Sequence, residues 1–219
     1  MKKIIPPKLH SGDTVSIIAP SRSLSIIGME SREIAKKRFD ELGLTLTFGR
    51  HVEETDSFAS SNIQSRIEDL HEAFLDTNIK AIFTVIGGFN SNQLLRYIDW
   101  NIIKNNPKIF CGYSDITALN NAFFAKTGLI TYSGPHYSTF GQKLYLDYTL
   151  EYFKKCLMED SPFEILSSSQ WSDDEWYISQ DDRKLINNKG YFVIQEGNAE
   201  GTALGGNLCT FNLLQGTEY

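Results

Sequence analysis

Residues 80–88, KAIFTVIGG, carry one charge at the start, two glycines at the end and an almost unbroken apolar run between them. A strand with one wet face would alternate apolar and polar residues. This run does not, so both of its faces must be covered. That is the mark of a strand inside a parallel sheet with helices on either side. The rest of the chain agrees. DTVSIIAPS (13–21), LTLTFG (44–49), KIFCG (108–112) and LITYSGP (129–135) are further short apolar runs. Helical patterns separate them. SREIAKKRFDELG (31–43) places Ala35, Phe39 and Leu42 on one face, with Gly43 as a C-terminal cap. SSNIQSRIEDLHEAFLD (60–76) puts Ile63, Ile67, Leu70 and Phe74 on one stripe, with Ser60 or Ser61 as N-cap. SNQLLRYI (91–98), the segment after Asp115, and LDYTLEYFKKCLME (146–159) complete the helices. Alternation of strand and helix predicts an α/β domain with a parallel sheet.

Ligands of such sheets bind at the carboxyl ends of the strands. Three loops meet that description: Pro20-Ser21, Gly87-Gly88-Phe89-Asn90 and Gly112-Tyr113-Ser114-Asp115. The last lies in KIFCGYSDITAL, where a short strand breaks through a glycine into a helix with Ile116, Leu119 and Phe123 on one face. A serine on so sharp a turn is where a nucleophile is placed, although Ser114 would serve equally well as a helix N-cap. Gly87-Gly88 lets backbone amides come close to a ligand, and a hydrolase needs such amides to hold an oxyanion. The Asp115 amide, just after the serine, is the natural second donor. A plain tight turn is the other reading of the two glycines.

Composition narrows the class. With 21 basic and 27 acidic residues the formal charge is -6, which argues against nucleic acid or an anionic membrane as partner. The start, MKKIIPPKLHSGD, is basic without a long apolar core, so neither a signal peptide nor a membrane span is expected. Cys111, Cys156 and Cys209 are widely spaced and odd in number, which predicts reduced thiols in a cytoplasmic protein. Cys111, inside an apolar strand, reads as a packed thiol. No cluster suggests a metal, and no organic cofactor is expected.

Residues 1–160 thus read as one α/β unit. Residues 161–189 are polar, acidic and serine-rich, with Trp171 and Trp176, and read as a linker or long loop. Residues 190–219 are strand-like and glycine-rich, as the start of a second unit. In this order GGFN, GYSD and GGNL (205–208) recur along the chain, and from SIIAPS to EGTALGGNLCTFNLLQGTEY it resembles the serine LD-carboxypeptidase family, which includes the microcin C immunity peptidases. The resemblance implies Ser114 as nucleophile and the Gly88 and Asp115 amides as oxyanion donors. It implies a Rossmann-like or flavodoxin-like N-terminal domain, a smaller β-rich C-terminal domain and a homodimer.

In that family the serine works with a Glu and a His from the C-terminal domain. None of His10, His51, His71 and His136 matches the family's histidine, and Glu196 and Glu200 lie upstream of its acid. His71 reads as a surface residue, and His136, after a strand end, could lie near the site. The expectation is therefore an N-terminal fragment without useful turnover, because a serine lacking a positioned base stays protonated. Two substrates are open: a tetrapeptide of recycled murein, or an aspartyl residue joined by an amide to a modified nucleotide. The long tryptophan loop resembles that of the immunity peptidases and favours the second. Trp176, then Trp171, would stack on the purine, although both indoles could instead pack on a neighbouring domain or dimer contact. Asp173-Asp174-Glu175 reads as a solvated loop face. Two other classes stay open: a small-molecule binding module, whose loops would grip a carboxylate without any base, and a bare folding unit exposing apolar surface over 190–219.

Overall fold

The computed structural model describes residues 2–219. Strands β1 (Thr14–Ile18), β2 (Thr45–Phe48), β3 (Ile79–Thr84) and β4 (Ile109–Cys111) form one parallel sheet in the order β2-β1-β3-β4. The order reverses between β1 and β3, which makes their carboxyl ends the switch point of a flavodoxin-like sheet.

The unbroken apolar strands follow from what covers them. Ile17, Ala81, Phe83, Ile109 and Cys111 point to one face, into a core with α1 (Met29–Glu41) and α5 (Asp147–Leu157). Ile18, Ile82 and Phe110 point to the other, against α2 (Ile63–Leu75), α3 (Trp100–Asn105) and α4 (Thr117–Thr127). Each strand residue thus sends its side chain into one of two apolar layers. Aromatic rings fill both: Phe83 lies 5.7 Å from Phe39 and 5.7 Å from Phe153, and Phe110 lies 4.7 Å from Phe123.

Several local expectations are corrected. Asn62, not Ser60 or Ser61, caps α2: its side chain accepts from the Ser65 amide. Ser60 instead turns inward and donates to the Ser21 carbonyl at 2.5 Å. SNQLLRYI gives only a single 3-10 turn, Ser91–Leu94: the amides of Gln93, Leu95 and Tyr97 bond three residues back rather than four, and that of Ser91 is taken by Asp115 Oδ2. LITYSGP makes no full strand; it meets the sheet by one isolated bridge, Tyr132 with Cys111, and the N-terminal segment by another, Leu129 with Ile4. The 161–189 segment contains a two-residue antiparallel pair, β5 (Gln170–Trp171) with β6 (Ile186–Asn187).

No strand forms among residues 190–219. Their regular element is the short helix α6 (Leu208–Asn212). The strand-like run Tyr191–Ile194 has no edge to pair with, and Phe192 and Ile194 are 87% and 92% exposed. High β-propensity alone does not make a strand when the ladder lacks a partner.

Truncating Phe83 to alanine should therefore cost about 3–5 kcal/mol of stability, whereas Phe192→Ser should change it by less than about 0.5 kcal/mol. Urea unfolding of the two variants checks both; equal losses would contradict this assignment of core and surface.

Candidate active site

The three sheet-edge loops are gathered by one carboxylate. Asp115 is buried, and its Oδ2 accepts from Ser21 Oγ at 2.6 Å, from the Ser91 amide at 2.9 Å and from the Asn90 amide at 3.1 Å. The Asp115 carbonyl in turn accepts from Ser91 Oγ at 2.8 Å. A second tie comes from Arg66 on α2, which donates to the Pro20 carbonyl at 3.2 Å, the Asn90 carbonyl at 3.1 Å and Gln93 Oε1 at 2.8 Å. Burial lowers the Arg66 pKa, and the charges of Asp56 and Asp115 oppose that shift.

Ser114 stands at the centre of this frame. Its φ is +61°, a conformation that costs a side-chain-bearing residue about 1–2 kcal/mol. It opens the 3-10 turn Ser114–Ile116, which runs directly into α4. Tyr113, not Ser114, holds the N-cap position, and the Ser114 hydroxyl makes no hydrogen bond among the described residues, so it does not work as a cap. Gly87 packs against it: a Cβ there would lie 2.9 Å from Ser114 Cβ, 3.0 Å from its Oγ and 3.5 Å from the Asp115 amide nitrogen. Only glycine allows the two loops to approach so closely. Asn120 on α4 fixes the turn from behind by donating to the Gly112 carbonyl at 2.9 Å.

The GGNL motif reaches the same helix from the other end of the chain. The Asn207 amide donates to Thr117 Oγ1 at 2.9 Å, and Asn121 donates to the Gly205 carbonyl at 3.0 Å. All three motifs therefore converge on the turn and helix that follow β4.

His136 does lie beside the turn, its ring 4.2 Å from that of Tyr113. It is buried, its Nδ1 is 2.7 Å from Thr84 Oγ1, and its Nε2 has no partner among the described residues. Burial pushes its pKa down to about 3, against a weaker pull from the Tyr113 backbone. A ring held this way is a poor proton acceptor at neutral pH. His71 is half-buried rather than freely exposed, and its Nε2 accepts from the Asp99 amide at 3.0 Å. The Cys111 thiol is fully buried and burial raises its pKa, as a packed thiol requires. No group of three or more His, Cys, Asp or Glu suited to a metal ion occurs among the described residues, and no described helix is long and apolar enough to cross a membrane.

The hollow that Trp176 borders does not include Ser114. Trp176 is half-buried and lines a hollow with Ile26, Gly28, Tyr177 and Gln180, beside the N-terminus of α1. Gln180 holds that loop by donating to the Gly141 carbonyl at 2.8 Å, and Arg183 by donating to the Leu144 carbonyl at 2.9 Å. Trp171 lies in β5 and is 44% exposed. What pattern reading missed is the frame itself: Ser21, Arg66 and the Asp115 side chain. One signal existed, since Arg66 falls three residues after Ile63 and four before Leu70, inside the apolar stripe of α2.

Two outcomes follow from this geometry. Asp115→Ala leaves a hydroxyl and two amides without their acceptor; at about 1–3 kcal/mol for each buried unpaired group, urea unfolding should show a loss of at least ~2 kcal/mol. For His136 the ordinary pKa of about 6.5 applies in the unfolded chain, so between that value and about 3 the folded state binds fewer protons. Stability must fall as pH drops through this window, by up to about 1.4 kcal/mol per unit, and His136→Asn should flatten the fall. Equal slopes in the two proteins would mean that the ring is solvated.

Residues 15–134 match the family model described as the LD-carboxypeptidase N-terminal domain. Over 99% of its length the chain superposes on a crystal structure of an MccF-like protein from Bacillus anthracis, with 58% identity, a TM-score of 0.97 and 66% of that chain covered. The microcin C7 self-immunity protein MccF of Escherichia coli is 32% identical over 225 residues, which cover 99% of this chain and 65% of MccF. Its ligand-free structure superposes with a TM-score of 0.90. The murein tetrapeptide carboxypeptidase of Pseudomonas aeruginosa is 34% identical, but over 122 residues, or 55% of this chain and 38% of that enzyme. The chain spans 65% of the length of the curated relatives it matches nearly end to end. With that family model spanning more than half of the chain, and with its three glycine motifs meeting at one serine turn, this chain belongs to the LD-carboxypeptidase family.

Proposed function

We propose that Ser114 is the nucleophile of a serine amidase that cleaves the bond between an acidic aminoacyl group and a modified nucleotide. The observation that carries this reading is the Ser114 turn: a strained φ of +61° and a hydroxyl with no partner, set against the Gly87-Gly88 loop. Strain kept at a reactive side chain needs a surrounding structure that enforces it, and the Asp115 network is such a structure. In this mechanism Ser114 Oγ attacks the amide carbonyl as its proton passes to the base, and the Gly88 and Asp115 amides receive the oxyanion. The C–N bond then breaks, the nucleotide-bearing nitrogen leaves with that proton, and water hydrolyses the resulting acyl-enzyme ester to free the acid and Ser114.

No base touches Ser114 among the described residues, and His136 is spoken for by Thr84. The reading therefore takes the general base from outside these residues, as a Glu-His pair. The nucleotide branch is favoured over murein by the extent of likeness. Similarity to MccF runs through the tryptophan loop to cover 99% of the chain, while similarity to the murein tetrapeptide enzyme covers 55%. Solved structures of MccF include complexes with aspartyl sulfamoyl adenosine and glutamyl sulfamoyl guanosine. Trp176 is the side chain assigned to the purine, with Trp171 second. The unpaired state of Cys111, Cys156 and Cys209 supports a reducing, cytoplasmic setting, and a homodimer is carried over from the family.

Hydrolysis of an aspartyl-nucleotide amide by the complete encoded protein tests this. Turnover is expected, with Ser114→Ala lowering kcat by ~10⁴-fold or more. Turnover that survives Ser114→Ala would remove the nucleophile assignment. Turnover confined to a murein tetrapeptide would move the substrate to the other branch of the family. Ligand affinity without turnover, unchanged by Ser114→Ala, would make the protein a binding module.

A further inference from the structure

Arg22 has no partner that explains where it stands. It follows Ser21 at the carboxyl end of β1 and is half-buried, yet its guanidinium makes no hydrogen bond or ion pair among the described residues. A guanidinium with no partner in its own chain keeps all its donors available to a ligand. Its stem lies on the glycine loop: a Cβ on Gly88 would be 2.8 Å from Arg22 Cγ and 3.2 Å from Cδ. Gly87, the preceding residue, is the one backed against Ser114. The stem of Arg22 therefore lies on the residue next to the one that meets the serine.

Arg22 borders a hollow of about 420 Å³ together with Phe58, Phe89, Asp56, Arg66 and Asn90. The two phenylalanines are 77% and 85% exposed, although side chains of this size are usually covered. Asp56 is the one carboxylate among the lining residues. Its Oδ1 is taken by the Phe58 and Ser60 amides, at 2.8 and 3.0 Å, and its charge acts on Arg66. Asp115 acts on Arg66 as well, so Arg22 is the cation of the hollow left without a carboxylate partner among the described residues. An apolar rim over an unpaired guanidinium fits a small anion on a carbon skeleton, and the planar fork of arginine matches a carboxylate.

We propose that Arg22 is the residue that selects a carboxylate on the substrate, with Phe58 and Phe89 covering the carbon skeleton that bears it. This rests on the reading of Ser114 as nucleophile, which places the scissile bond next to the hollow. The carboxylate comes from one of two sources: the acidic side chain of an aminoacyl nucleotide, or the terminal carboxylate of a peptide.

Calorimetry on the protein carrying Ser114→Ala separates them. The ligands are aspartyl- and asparaginyl-sulfamoyl adenosine, and a murein-type tetrapeptide ending in D-alanine or in D-alaninamide. The expected result is a preference of about tenfold or more for aspartyl over asparaginyl. Arg22→Gln should abolish that preference without changing the asparaginyl affinity, and Arg22→Lys should keep part of it. Phe89→Ala should weaken both aminoacyl ligands alike. Because the Arg22 side chain holds no other group in place, Arg22→Gln should melt with the parent protein. If the preference appears only in the peptide pair and is lost in Arg22→Gln, the carboxylate site stands and the peptide is its source. A preference that survives Arg22→Gln, or none in either pair, overturns the proposal. The hydrolysis assay reads Ser114 separately, so the two assignments fail in different experiments.

Discussion

One carboxylate oxygen holds the working end of this molecule together. Asp115 Oδ2 is the common acceptor for the hydroxyl of Ser21 and the amides of Asn90 and Ser91. It thus joins the loop after β1, the loop after β3 and the turn after β4, three segments that are far apart in sequence. Charged acceptors make the stronger hydrogen bonds, and burial keeps water from competing for them. Arg66 repeats the device with opposite sign, by donating to the carbonyls of Pro20 and Asn90. The loops of a parallel sheet are otherwise its loosest parts, and here they are fixed by two buried charges.

That frame explains why the serine turn tolerates its backbone conformation. Ser114 is followed immediately by the residue that anchors it, so the strained φ is set by a neighbour that cannot move independently. Gly87 supplies the missing volume on the facing side, and Asn120 holds the carbonyl two residues before. Where the two loops meet, the contact at Ser114 is made by a glycine and backbone groups, which is what lets them approach so closely.

The sheet and its covering helices were legible because burial on both faces leaves a plain mark: apolar runs for strands and apolar stripes for helices. The stripe Ile63, Ile67, Leu70 and Phe74 and the turn at Ser114 could be read directly. The Asp115 clamp could not, since nothing local distinguishes a carboxylate that accepts from its own helix end from one that reaches across two loops. The strand-like character of residues 190–219 does not become a strand for a related reason: pairing is a property of the neighbour, and no strand among the described residues pairs with Tyr191–Ile194. Trp176 and Trp171 stood out in the sequence, but where they lie depends on how Gln180 and Arg183 dock the loop.

Helix α4 begins one short turn after Ser114, and its first seven residues are buried. Its peptide dipoles run along one axis with their positive end toward the serine, equivalent to roughly half an elementary charge. At an exposed helix end, dissolved salt would screen most of that field. Here the first two turns of the helix are buried, where screening by salt is weaker. The serine turn therefore sits in an electric field that is installed once, when the chain folds.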